Sequence, residues 1–299
     1  MTRPVIAGLD GSAESLSAAD WAAREASSRG LPLRLLHVWE RQPYAQAPLG
    51  GPVAMRAWAE SVPREAADAL RRRYPQLEIS SADIAGRPAA VLSSAAEDAE
   101  VLALGSRGLG GITGFFVGSV ALAVIASVHR PAVLVRSGVT AEDEHLPDAD
   151  GLASATTPYR DVVLGLDLDR PHEALFGFAF DAAARRAARL RVIYGWTLHP
   201  YVHGTGTVLP DLIGEVASEF DRALTDALRP WRLKHPEVDV DAHQAVGRAA
   251  DHLVDASADA CMVVVGRHIR RSTAGSHIGP VTHAVMHHSA APVAVVPHT

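Results

Sequence analysis

The chain has 299 residues, enough for two ordinary domains, and 48% hydrophobic against 21% charged residues is a globular rather than a disordered composition. Its single cysteine, Cys261, sits in an apolar run; it excludes an internal disulfide framework and fits a reducing, cytoplasmic setting. The formal net charge is −6 and the arginines are scattered, so no nucleic-acid footprint is visible.

Residues 4–8 are an apolar run that predicts a first strand, with Asp10-Gly11-Ser12 at its carboxyl end. Asp10 cuts the run so short that no signal peptide is expected. Ala18, Ala19, Ala22, Ala23 and Ala26 recur at helical spacing, which predicts a helix to about Ser28 with Gly30 as its stop. Residues 33–39 read as a second strand, 41–53 as a loop rich in Pro and Gly, and 54–74 as a helix. That helix ends on Arg71, Arg72 and Arg73, cations suited to the helix dipole. A third strand over 77–84 and a helix opened by Gly86-Arg87-Pro88 follow.

Residues 101–104 form a short apolar strand ending at Gly105. Gly105, Gly108, Gly110, Gly111 and Gly114 then crowd one loop, and an apolar helix begins at Gly118-Ser119. Pro131 ends that helix, and 132–135 read as the next strand. Residues 111–128 carry no charge, but their glycines and the break at Gly118-Ser119 argue against a membrane span. The alternation of strands and helices, with strands apolar on both faces, predicts an α/β fold: a parallel sheet with helices on both sides. Ligands on such sheets sit beyond the carboxyl ends of strands, where the strand order reverses. Asp10 and Gly105 each end a strand.

Residues 139–157 are acidic, then small and polar, and read as a linker between a first domain, 1–138, and a second, 158–299. After the linker the pattern restarts. Residues 161–167 (DVVLGLD) match 4–10 (PVIAGLD), and 190–196 match 33–39 in unchanged register, since 167 − 10 equals 196 − 39. Gly247-Arg248 matches Gly86-Arg87, 262–266 matches 101–105, and 292–296 matches 131–135. The chain is one domain written twice, and two such copies can pack as a pseudo-symmetric pair.

Glycines at a strand end, followed by a helix N-terminus with free N–H groups, make a candidate anion cradle for phosphate. Here glycine is expected to let the backbone come close to a ligand and adopt positive φ. Asp10 reads either as a turn or capping aspartate, or as an acceptor for ribose hydroxyls or a ligand of phosphate-bound Mg²⁺. Ser119 caps its helix and donates to a phosphate, and Arg107 is either solvated or a phosphate contact.

Gly105, two residues, Gly108, nine residues and Gly118-Ser119 form a G-x2-G-x9-G-[S/T] pattern. It resembles that of the ATP-binding universal stress proteins, and residues 5–10 with Gly11-Ser12 resemble that family's first strand and loop. Through the repeat, the likeness covers nearly the whole chain apart from the linker and the loops 41–53 and 199–210. It implies two tandem Rossmann-like domains of the adenine nucleotide alpha hydrolase type. Each would be a five-stranded parallel sheet in order 3-2-1-4-5.

The resemblance also implies ATP with Mg²⁺ as cofactor, with Asp10 on ribose or metal and Gly8 and Val38 against adenine. Gly105, Ser106, Arg107 and Gly108 would hold phosphates with Leu109, Gly118, Ser119 and Val120. The implied role is a cytoplasmic nucleotide-dependent regulator of a protein partner, with hydrolysis slow or absent. A homodimer through the last strands, 132–135 or 292–296, or an intramolecular pseudo-dimer, is expected with it.

In the second copy Gly165, Asp167, Gly266 and Gly279 persist, while Gly108 becomes Ile269, Ser119 becomes Pro280 and Val38 becomes Gly195. Isoleucine resists positive φ, and proline removes a hydroxyl and an N–H donor. The second domain is therefore expected to bind ATP weakly or not at all, with Arg267, Arg270 and Arg271 as partial compensation by charge. His283 and His287, four apart on a helix, are a conceivable metal pair but read as surface or interface histidines. There is no G-x-S-x-G, H-E-x-x-H or S-G-G-x-D-S pattern, so no catalytic constellation is expected. Two other readings stay open: a slow ATPase or nucleotidyl-transfer enzyme, and a nucleotide-free interaction scaffold.

Overall fold

The computed structural model describes residues 2–40, 51–106, 117–197, 210–269 and 278–299. It divides into two compact units, one formed by Met1–Ala141 and the other by Glu142–Ile269 together with Ile278–Thr299. Among the described residues no helix is long and apolar enough to cross a membrane.

The first unit runs β1 (Val5–Leu9), α1 (Ala13–Arg29), β2 (Leu33–Trp39), α2 (Gly51–Arg73), β3 (Ile79–Ala85), α3 (Pro88–Glu97), β4 (Val101–Ser106), α4 (Ser119–Ser127) and β5 (Ala132–Arg136). Its strands lie in the order β3-β2-β1-β4-β5, all parallel, with Gly8 of β1 opposite Leu36 of β2 and Val5 opposite Val101 of β4. β1 and β5 are buried along their whole length because helices cover both faces of the sheet. Each fully buried Leu or Val contributes about 1.5–3 kcal/mol of burial.

α1 starts where the sequence places a turn and a cap. Ser12 is the N-cap, its hydroxyl accepting the Ser15 N–H at 3.2 Å. Gly30 ends the helix in the left-handed region at φ 62°, and its N–H bonds back to the carbonyls of Ala26 and Ser27. The alanine stripe faces the sheet, with Ala18, Ala22, Ala23 and Ala26 fully buried. At the far end of the unit, Asp83 of β3 accepts the His37 ring nitrogen at 2.9 Å and the Trp39 indole N–H at 2.8 Å.

The second unit repeats the plan with β6 (Asp161–Gly165), α5 (Glu173–Arg186), β7 (Leu190–Trp196), α6 (Pro210–Lys234), β8 (Val240–Val246), α7 (Ala249–Ala256), β9 (Ala260–His268), α8 (Pro280–His288) and β10 (Val293–His298). Its order is β8-β7-β6-β9-β10, again parallel, so each sheet has the 3-2-1-4-5 order that the resemblance implies. Where the first unit has His37, Trp39 and Asp83, the second has Tyr194, Trp196 and Gln244, and Trp196 donates to the Gln244 carbonyl at 2.5 Å.

Part of the segment read as a linker, around Glu144 and His145, is packed. Glu142–Glu144 form a 3-10 turn, and an antiparallel bridge pairs His145 with Tyr159, whose rings lie 3.9 Å apart. Arg160 donates through Nε to the His145 carbonyl at 2.9 Å, and the Arg186 guanidinium lies 5.8 Å from the Tyr159 ring. Glu144 and His145 are buried in consequence. The acidic composition conceals this because the residues that bury the segment lie beyond it in the chain.

Candidate functional site

In the first unit β1 sits between β2 and β4, and the chain leaves it toward one side and later returns on the other. This is the switch point at which α/β sheets open a crevice. A cavity of about 240 Å³ lies there, edged by strand ends on one side and by α1, α3 and α4 on the others. It brings together Gly8, Asp10, Val38, Gly105, Gly118, Ser119 and Val120 from the predicted set. Ser106 is buried and is not part of the lining. Arg107, Gly108 and Leu109 lie outside the described residues.

The floor is apolar and the rim polar. Val38, Pro88, Leu92 and Leu104 supply a slot for a flat apolar group. Asp10 is exposed at the rim, and its Oδ1 accepts the Ser12 N–H at 3.0 Å and the Ser12 hydroxyl. Gly11, at φ 82°, lets the chain turn between them. The Ser15 hydroxyl donates to the Ser12 carbonyl at 2.9 Å and accepts the Asp10 N–H at 3.3 Å, which locks this corner. Asp10 is thus a turn residue with its carboxylate at the cavity mouth, while the capping role falls to Ser12.

α4 presents an open N-terminus. Gly118 is its N-cap, in extended conformation with no side-chain cap, and Ser119, Val120 and Ala121 all border the cavity. The first N–H groups of a helix have no partner within it, so they face the cavity with the positive end of the dipole. A Cβ added at Gly118 would meet nothing within 4 Å. Neither positive φ nor internal packing requires glycine there, and its absent side chain keeps the mouth clear.

Gly105 corrects an expectation. Its φ is not in the left-handed region, and an added Cβ would stand 2.6 Å from the Glu14 carbonyl carbon and 2.7 Å from the Ser15 nitrogen. The close approach that glycine permits here is that of the α1 backbone. Ser12, Glu14, Ser15, Pro88, Leu92 and Leu104 are lining residues that the sequence reading did not single out. Only the S-x-x-S start of α1 carried a signal for any of them.

The second unit fills the corresponding space. At Gly195, the counterpart of Val38, an added Cβ would lie 2.4 Å from the Ala249 Cα, so the start of α7 rests directly on β7. At Gly266, the counterpart of Gly105, it would meet His298 Nε2 at 2.7 Å and Leu175 at 3.5 Å, side chains rather than helix backbone. α8 begins with Pro280, which has no N–H to offer, after Gly279 as N-cap. Asp167 keeps the turn, accepting the Asp169 N–H at 3.0 Å. Gly165 has the Leu253 side chain against it, and Arg267 is buried, its guanidinium held below the usual arginine range by desolvation. The His283 and His287 rings are tilted with centroids 4.4 Å apart, and among the described residues no group of three or more His, Cys, Asp or Glu is set to hold a metal ion.

Each unit is a Rossmann-like α/β domain built on a doubly wound parallel sheet. A family model described as Universal stress protein family matches residues 1–136 and 158–297, and the chain belongs to that family. A universal stress protein of Mycobacterium tuberculosis is 29% identical over 299 residues, covering 97% of this chain and 96% of its own. One from Mycolicibacterium smegmatis is 31% identical over 310 residues, covering 98% of this chain and 96% of its own. A crystal structure of a universal stress protein from Archaeoglobus fulgidus covers 99% of this chain and 98% of its own, with a TM-score of 0.68 at 16% identity, a likeness of fold.

Proposed function

We propose that this chain is an ATP-binding universal stress protein, carrying its nucleotide in the first domain, residues 1–138, and acting as a cytoplasmic nucleotide-dependent regulator of a protein partner. The observation that carries the reading is the cleft at the carboxyl ends of β1 and β4, apolar at one end and edged by the uncapped α4 N-terminus at the other. Adenine fits the slot between Val38 and Leu92 beside Gly8. The phosphates meet the N–H groups of Ser119 and Val120 and the Ser119 hydroxyl. The Asp10 carboxylate, a hard oxygen donor at the mouth, suits ribose hydroxyls or Mg²⁺. Bound Mg²⁺ would neutralise phosphate charge beside that carboxylate.

The second domain, residues 158–299, keeps the frame and has lost the site. The Ala249 backbone stands where the first domain has the Val38 side chain, and Pro280 removes a phosphate donor. Ligand binding that orders the loop between β4 and α4 would change the surface that a partner reads.

Mass spectrometry of ligand released from freshly purified protein, with calorimetric titration of Mg-ATP, tests the reading. One adenine nucleotide site per chain is expected. Two equal, tight sites, or no nucleotide bound at all, would overturn it.

A further inference from the structure

Three imidazoles meet over Gly266 at the carboxyl end of the second sheet. His172 comes from the segment before α5, His268 ends β9, and His298 ends β10 in register with His268. The His298 ring centroid is 5.2 Å from that of His172 and 5.7 Å from that of His268. Nδ1 of both His268 and His298 is buried without a hydrogen-bond partner among the described residues. His172 is the N-cap of α5, its Nδ1 accepting the Ala174 N–H at 3.2 Å. Its Nε2 lies 3.4 Å from the Thr299 hydroxyl. Leu175, in the first turn of α5, shares the space over Gly266 with His298.

A neutral imidazole accepts a hydrogen bond at one nitrogen, whereas an imidazolium only donates. Protonating His298 puts a cation among two further imidazoles in a half-buried place, beside the positive end of α5. The equivalent helix of the first unit, α1, is capped by the hydroxyl of Ser12, which does not titrate in this range. We propose that this end of the second unit is a proton-sensing latch: a neutral His298, packed against His172 and His268, holds the first turn of α5 over Gly266, and its protonation releases that turn. The latch does not depend on the nucleotide reading of the first unit.

The groups facing His298 are consistent with it. Burial, first, and then the charges of His172 and His268 hold its pKa below the ordinary histidine value. The Thr299 backbone and the Asp167 carboxylate act the other way. α5 offers the apolar Leu175. α8, which also packs on β10, carries His283, His287 and His288, and the ring centroids of the first two lie 4.4 Å apart. The folded chain takes up this proton less readily than the unfolded one, so the stabilisation is complete above about pH 6.5 and is lost as the pH falls below it.

Amide hydrogen exchange on the full chain, corrected for intrinsic rates, tests the latch at about pH 7.5 and about pH 5.5, on either side of the histidine range. Protection in the first turn of α5 is expected to fall about fivefold to tenfold with acid, while that of α1 changes less than about twofold. His298→Asn, which cannot titrate, is expected to remove most of the fall, while His172→Asn, which keeps a cap on α5, is expected to leave most of it. An equal fall in both helices, no fall at all, or an undiminished fall in His298→Asn would overturn the proposal.

Discussion

At the carboxyl ends of β1 and β4, the first unit leaves a cleft beside Val38 and before the bare N-terminus of α4. At the same ends of β6 and β9, the second unit lets the Ala249 backbone down onto Gly195 and fills the room over Gly266 with His298 and Leu175. The strand order is the same in both, and so are the glycines at the strand ends. What differs is what stands against Gly105 and its counterpart Gly266: helix backbone in the first, side chains in the second. A fold of this kind opens or closes its crevice by where the flanking helices start, with the sheet unchanged.

The sharpest way to break that comparison is to put one methyl group on each equivalent glycine. Gly105→Ala forces the α1 backbone to move and is expected to cost about 3 kcal/mol in urea denaturation. Gly266→Ala meets the tip of the His298 ring, which can rotate, and should cost about 1 kcal/mol. Equal costs would mean that the two helices pack alike.

Next comes Ser119→Pro, which imports the residue of the second unit. Proline is well suited to a first helical position, so the fold should hold while ATP binding, read by calorimetry, weakens at least about tenfold. The reverse change, Pro280→Ser, should create no new site, because Gly195 under Ala249 still leaves no counterpart of the Val38 side chain. A smaller effect follows from His298: the urea midpoint of the second unit should fall as the pH drops below about 6.5, and fall less in His298→Asn. Smallest is Asp83→Gln, which copies Gln244 and should cost about 1 kcal/mol, since Trp39 keeps an acceptor and His37 loses only the carboxylate.

Much of this was legible in the chain itself. Apolar runs and the repeat located the strands except β8, Gly30 ended α1 as expected, and the matches at 161–167 and 190–196 announced two copies. The residues that the cavity gathers from β1, β2, β4 and α4 were largely named by strand ends and glycine spacing. Gly105 was found but its partner was not, because a small residue tells of close approach without telling what approaches. Ser106, expected at the site from the resemblance, is buried and does not line the cavity. The His172, His268 and His298 group left no local trace, since only the sheet brings such distant positions together. The packed segment at Glu144 and His145 was hidden for the same reason, its contacts being Tyr159, Arg160 and Arg186.

The indole of Trp39 directly follows Val38 in β2 and is hydrogen-bonded to a carboxylate, whereas its counterpart Trp196 is bonded to a neutral amide. An excited indole is sensitive to charge beside its ring nitrogen, so the two fluorophores should emit at different wavelengths. Subtracting the spectrum of Trp39→Phe from that of the native chain would then give a label-free optical signal positioned one residue from the base slot.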